Sequence, residues 1–329
     1  MKVDMTAPGK VFLCGEYMAI EGAKATLLSV SRSAEISIEK IESSENRFIT
    51  SALEKEFLFQ LNNRSEIEWI NESPGEYGLF LEIAIKVLGI KPFGVKFSIN
   101  TDGFFESGIK LGIGSSAAIS VAITKAINKY FKLKLDKQEE LYNSLEVHNY
   151  FQNHNGSGLD VLSSFYGFPV IECSRDRNKS FVWNQAKIPK EVIIKFVKGP
   201  TYANTREMIK KYHSGKHEHK RFFLEISKEM KETLTNLSQA YRENNPSQIL
   251  NNIKRYSTLM IEMDRAFNIG VYSETDKEIS ILADKDGLIY KPSGAGGGDL
   301  GIVIGDNNSN ISKFIDRLSK LRMKQIDLI

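Results

Sequence analysis

Cysteine is nearly missing from this chain: Cys14 and Cys173 are the only two in 329 residues. So small a supply excludes a disulfide framework and fits a reducing compartment. Long apolar runs are missing as well, and no uncharged stretch reaches the roughly 18 residues of a membrane span. The N-terminal MKVDMTAPGK has no apolar core of signal-peptide length. Charge of one sign is not in excess either. Formal net charge is +3, from 44 Lys and Arg against 41 Asp and Glu, which gives no electrostatic case for nucleic acid or a membrane surface as partner. Internal repeats and low-complexity segments are absent. These absences together lead us to expect a soluble, cytoplasmic protein.

What is present is ordinary in bulk and specific in detail. An apolar share of 41% and a charged share of 26% suit a packed globular chain, long enough for two domains or one large one. Val11, Phe12 and Leu13 read as a short strand punctuated by Pro8-Gly9 and Gly15, with Lys10 before it and Glu16 after it. Strands are expected over 25–40 and 47–60, a helix over 76–90, and a strand over 94–100. Helices are expected over 136–154, 220–244, 246–267, within 270–287 and over 308–322, and strands over 169–172 and 192–197. The polar stretch 174–191 suggests a division into domains 1–188 and 189–329. His213, His217 and His219 fall in a basic segment with no Cys or carboxylate at metal-ligand spacing, so that segment reads as a solvated loop.

The centre of the pattern is GIKLGIGSSAAISVAITKAI, residues 108–127. Gly108, Gly112 and Gly114 lead through Ser115 and Ser116 into an Ala-rich helix. A helix N-terminus presents unpaired N–H groups and partial positive charge, and glycine lets an anion approach that backbone closely. No Lys-Ser/Thr pair follows the glycines, and the third glycine of a dinucleotide fingerprint is missing. Read alone, this is either a phosphate cradle or a Gly-Ser turn capping an ordinary helix. Asp160, at the start of an apolar segment after NGSGL, reads equally as a helix N-cap.

Three stretches taken together carry a resemblance. APGKVFLCGEYMAIEG, GIGSSAA and PSGAGGGDLGIVI, in this order and spacing, resemble the three motifs of the GHMP kinase superfamily over nearly the whole chain. The run from His148 through Gln152 to Gly156-Ser157-Gly158-Leu159-Asp160-Val161 is similar to that of phosphomevalonate kinases, as is Asp299 after the third glycine cluster. Glu274-Thr275 upstream agrees. The resemblance implies an α+β fold of two domains, with a left-handed βαβ unit N-terminally and a ferredoxin-like domain C-terminally. It implies transfer of the γ-phosphoryl group of ATP to 5-phosphomevalonate on the mevalonate route to isoprenoids, with Mg²⁺ as cofactor and a monomer or homodimer as the working form. Mevalonate kinase, or a catalytically silent ligand-binding member of the fold, is the alternative.

The resemblance also assigns roles. Lys10 and Asp160 would be catalytic; Gly112, Gly114, Ser115, Ser116 and Ala117 would hold ATP, with the Ser116 hydroxyl on Mg²⁺. Ser157, Arg206, Ser293, Gly294 and Ala295 would line the acceptor. Glu146 is the nearest carboxylate for a second metal contact if it lies on the right helical face. Lys198 and Lys291 are as readily solvated lysines as substrate contacts. Cys14 is expected only to pack.

Overall fold

The computed structural model describes residues 1–154, 156–175, 180–199 and 205–329, without the side chains of Glu54 and Arg206. The chain divides into two compact units, Met1–Lys10 with Ser29–Gly167, and Val11–Leu28 with Phe168–Ile329. Strands β1 (Lys2–Cys14) and β2 (Ala25–Lys40) run through both.

In the first unit the alternation of buried Ala34, Ile36 and Ile38 with more open neighbours sets the face of β2. Glu35–Lys40 pairs antiparallel with β6 (Val95–Asn100), and β6 pairs parallel with β3 (Asn46–Thr50). Strands β4 (Leu53–Leu61) and β5 (Ile67–Trp69) extend the sheet antiparallel. The crossover between β3 and β6 carries α1 (Leu79–Leu88), which Gly89 closes in a left-handed conformation at φ 61°. A two-residue ribbon, β7 (Phe105–Glu106) and β8 (Ile109–Lys110), precedes α2 (Ser115–Phe131). Helix α2 buries Ala117, Ala118, Val121, Ala122, Ala126 and Ile127, small enough for α1, α3 (Lys137–Phe151) and α4 (Leu159–Tyr166) to pack around it. A capping box starts α3: the Asp136 carboxylate accepts from Gln138 and Glu139 N–H, and Glu139 accepts from Asp136 N–H.

The second unit holds β9 (Val170–Arg175), paired with Ala25–Leu28 of β2, and β10 (Phe181–Gln185) paired with β9. Next come β11 (Ile193–Lys198), the helices α5 (Thr205–Glu218), α6 (Lys220–Arg242), α7 (Pro246–Phe267) and α8 (Glu274–Lys285), β12 (Ile289–Pro292), β13 (Leu300–Gly305), α9 (Asn308–Leu318) and β14 (Lys324–Ile326). The order β12-β13-β11-β14, antiparallel throughout, is the ferredoxin-like arrangement. Its core joins Val197, Ile279, Tyr290, Val303, Ile311 and Phe314.

Several local expectations change. β1 does not stop at Pro8-Gly9; a strand accepts proline where no ladder bond needs its N–H. Lys10 therefore sits inside the strand. Residues 213–218 are helical, not loop, because Gly215 packs directly on the Phe267 side chain of α7 and leaves no space for a Cβ; tertiary contact overrides glycine's weak propensity. Among the described residues no three His, Cys, Asp or Glu gather as a metal site. β10 and β14 are extra strands, too short for a periodic signal. The sequence division near 188 falls between β10 and β11, inside the second unit.

One carboxylate organises the turn after α7. Asp264 is buried and accepts from Gly270, Val271 and Tyr272 N–H at 2.7, 2.8 and 2.9 Å. Asp264→Ala should cost at least about 3 kcal/mol in urea unfolding, since three donors lose a charged acceptor.

Candidate active site

The glycine stretch brings a backbone terminus and a lysine together. Gly112 and Gly114 take φ of 68° and 80°, and Gly114 is the N-cap of α2. The amides of Ser115, Ser116 and Ala117 thus occupy the first turn, where no intrahelical acceptor exists. The amide of Lys10 donates to the Ile113 carbonyl at 2.8 Å, tying β1 to this loop. Gly9 makes the approach possible: a Cβ there would lie 2.6 Å from that carbonyl oxygen and 2.8 Å from the Phe104 ring. The Lys10 stem crosses Gly114, where a Cβ would meet Lys10 Cε at 2.8 Å.

A second glycine-initiated helix supplies the carboxylate. Gly158 (φ 75°) is the N-cap of α4, so Asp160 lies in the first turn and is not the cap. Its Oδ1 accepts from Val161 N–H at 3.0 Å. His148 of α3 is fully buried and places Nε2 3.5 Å from Asp160 Oδ2 and 3.3 Å from Ser116 Oγ. Burial pushes the Asp160 carboxyl up, but His148, the Lys10 ammonium and backbone N–H groups outweigh it and hold it below its ordinary value. Ser157 Oγ accepts from Leu159 N–H at 3.4 Å. Glu146 lies two residues before His148, about 200° around the helix at 100° per residue; it is on the wrong face for this cluster.

The third glycine segment is built within the second unit. Gly294, Gly296, Gly297 and Gly298 all have positive φ, between 68° and 88°. Ser293 donates through Oγ to the Phe12 carbonyl at 3.0 Å, and Tyr17 OH donates to the Ala295 carbonyl at 2.9 Å. The amide of Gly297 donates to the Val271 carbonyl at 2.9 Å, linking the loop to the Asp264 turn. Lys198, buried, lies 4.0 Å from Asp299 Oδ1, and burial lowers its ammonium value. Lys291 is not a solvated lysine: it is 1% exposed and ion-pairs with Glu16, also donating to the Pro292 carbonyl at 2.8 Å. Cys14 packs as expected, and burial drives its thiol value up. Arg206 lies in the first turn of α5; its side chain is outside the described residues.

Residues 79–168, from α1 to the end of α4, match the model of the GHMP kinases N terminal domain. The chain is 22% identical to a phosphomevalonate kinase of Saccharolobus solfataricus across 94% of this chain and 92% of that protein. Its likeness to a mevalonate kinase of Pyrococcus furiosus, at 28% identity, extends over 55% of each. The fold is shared with Streptococcus pneumoniae phosphomevalonate kinase, solved in complex with phosphomevalonate and AMPPNP, at a TM-score of 0.79 and 19% identity over 99% of this chain and 100% of that one.

In the first unit Lys10 lies against Gly114, and Ser116 and Asp160 both face His148. His148 is the member that the sequence reading left without a role, although it opened the His148–Gln152 run. Its signal was the one-turn spacing to Gln152, which places both side chains beside the Gly156–Gly158 turn.

Two outcomes check this geometry. Gly114→Ala meets both a positive φ and the Lys10 stem; it should lower kcat/KM on the order of 100-fold, as small misplacements do, with far-UV circular dichroism unchanged. Lys291→Met leaves Glu16 buried without its partner and should destabilise by about 3–5 kcal/mol in thermal or urea unfolding. The pair Glu16→Leu with Lys291→Met should recover much of that loss.

Proposed function

We propose that this chain moves the γ-phosphoryl group of ATP onto the phosphate of 5-phosphomevalonate, releasing ADP and the 5-diphosphate. The observation that supports the acceptor is the state of Asp160. A carboxylate held below its ordinary value is a weak proton acceptor, poorly suited to deprotonate an alcohol. A phosphomonoester has its second ionisation near about pH 6 and is already a dianionic nucleophile at neutral pH. The extent of likeness to a phosphomevalonate kinase, against half a chain for a mevalonate kinase, points the same way.

Phosphoryl transfer asks for positioning and charge neutralisation. The first-turn amides of Ser115, Ser116 and Ala117 cradle the ATP phosphates, with Gly112 and Gly114 allowing close approach. Lys10 stabilises charge on the transferring group, and Asp160 orients Lys10. The oxygen of an acceptor phosphate attacks the γ-phosphorus as the bond to the β-phosphate oxygen breaks, and the electron pair leaves with ADP. Acceptor-side roles for Ser157 in the first unit, and separately for Arg206, Ser293, Gly294 and Ala295 in the second, rest on the resemblance alone. A hard-oxygen donor set suits Mg²⁺: the Ser116 hydroxyl would hold it, beside an ionised Asp160. When bound, the ion neutralises charge on the β- and γ-phosphates.

A coupled ADP-release assay with ATP and Mg²⁺ should show turnover with 5-phosphomevalonate and little with mevalonate. Turnover confined to mevalonate would overturn the acceptor assignment. Lys10→Met should lower kcat on the order of 10³-fold, the scale of losing one electrostatic contact. The pH profile tests Asp160. A depressed carboxyl stays ionised above the ordinary carboxylate range and loses its contribution only as pH falls through its own lower value. The acid limb of kcat/KM should therefore sit near about 6, set by the acceptor phosphate, and should persist in Asp160→Asn at reduced rate. Disappearance of the limb in that variant would make Asp160 the base.

A further inference from the structure

His148 has been given no role beyond its effect on the Asp160 carboxyl, yet it is fully buried at the junction of α2, α3 and α4. One nitrogen, Nε2, meets both Ser116 Oγ at 3.3 Å and Asp160 Oδ2 at 3.5 Å. The other, Nδ1, is buried with no hydrogen-bond partner among the described residues. A Cβ at Gly156 would lie 3.8 Å from His148 Cε1 and 2.6 Å from Gln152 Oε1. Gly156 thus lies close beside Gln152 and the edge of the ring.

The two nitrogens decide where the proton is. A proton on Nδ1 alone would bury a donor without an acceptor and aim a lone pair at the Asp160 carboxylate. Both arrangements are costly. A proton on Nε2 faces Ser116 Oγ and the Asp160 carboxylate, in the neutral ring and in the imidazolium alike.

We infer that His148 is a positioning residue: its Nε2–H donates to Ser116 Oγ and faces the Asp160 carboxylate, and so holds the carboxylate and the serine hydroxyl in one fixed relation. Because the serine oxygen accepts from the ring, its own proton is directed away from His148. It is left to donate to a phosphate oxygen, while a remaining lone pair stays open. The role on ATP rests on the phosphotransferase reading above; the hydrogen-bond arrangement does not.

Two measurements separate these layers. In the ligand-free protein, ¹⁵N-detected imidazole NMR should show His148 protonated at Nε2 and not at Nδ1 alone. A ring protonated only at Nδ1 would overturn the inference whatever the enzyme's substrate. In the ADP-release assay, His148→Met should lower kcat about 10- to 100-fold, the scale of lost outer-shell contacts. His148→Gln, which can place an N–H near the same point, should restore most of the loss. His148→Met should add little in a Ser116→Ala background, because the two act through one hydrogen bond. Full additivity, or no rescue by Gln, would mean a packing role only and would overturn the positioning role. Absence of turnover in the wild-type protein with either acceptor would overturn the phosphotransferase reading while the NMR result still decided the tautomer.

Discussion

The bond from the Lys10 amide to the Ile113 carbonyl is the constraint from which the rest of the first unit's site follows. It brings a strand interior against a glycine loop at hydrogen-bond distance, which only a glycine before Lys10 and a glycine after Ile113 allow. With that bond made, the lysine stem runs across Gly114 at the N-terminus of α2. A cation that would ordinarily be mobile is thereby held beside unpaired amides and a carboxylate. Preorganisation of this kind is what phosphoryl transfer needs from a protein, since no reorganisation is left to the moment of reaction.

The same economy governs the charges. One carboxylate, one ammonium and one imidazole share the site, and the carboxylate is held ionised despite its burial. Ionisation there depends on neighbours more than on water. In the second unit the charges serve a different end. Glu16 and Lys291 are sealed from solvent as a pair, and Asp264 spends its oxygens on three amides of one turn. These buried ionic groups are costly unless every partner is present, so they define a single arrangement of the strand end, the turn at 270–272 and the third glycine loop.

Much of the fold is legible in the sequence. Helices α6 and α7 carry long apolar periodicity, and β2 and β6 alternate cleanly. The spaced glycines marked the N-terminus of α2, because only glycine adopts such φ values cheaply; for α4 the sequence offered Asp160 as the cap, and the cap is Gly158. The strand through Pro8-Gly9 was not legible, since the local rule for proline and glycine is punctuation and the overriding contact lies more than a hundred residues away. The helix over 213–218 was hidden for the same reason: its stabilising neighbour, Phe267, belongs to another element.

The sequence by itself marked a glycine-led helix N-terminus suited to an anion, because residue type and spacing set backbone reach, and its resemblance to the GHMP kinases put Lys10, Ser116 and Asp160 in one pattern. It could not determine the solvation of those groups. Lys291 reads like any surface lysine, yet burial with Glu16 makes it structural. Glu146 reads like a metal ligand, yet the face of α3 that meets α2 is occupied by His148. Burial, helix facing and the partner of a ring nitrogen arise from packing between distant segments, and only the tertiary structure decides them.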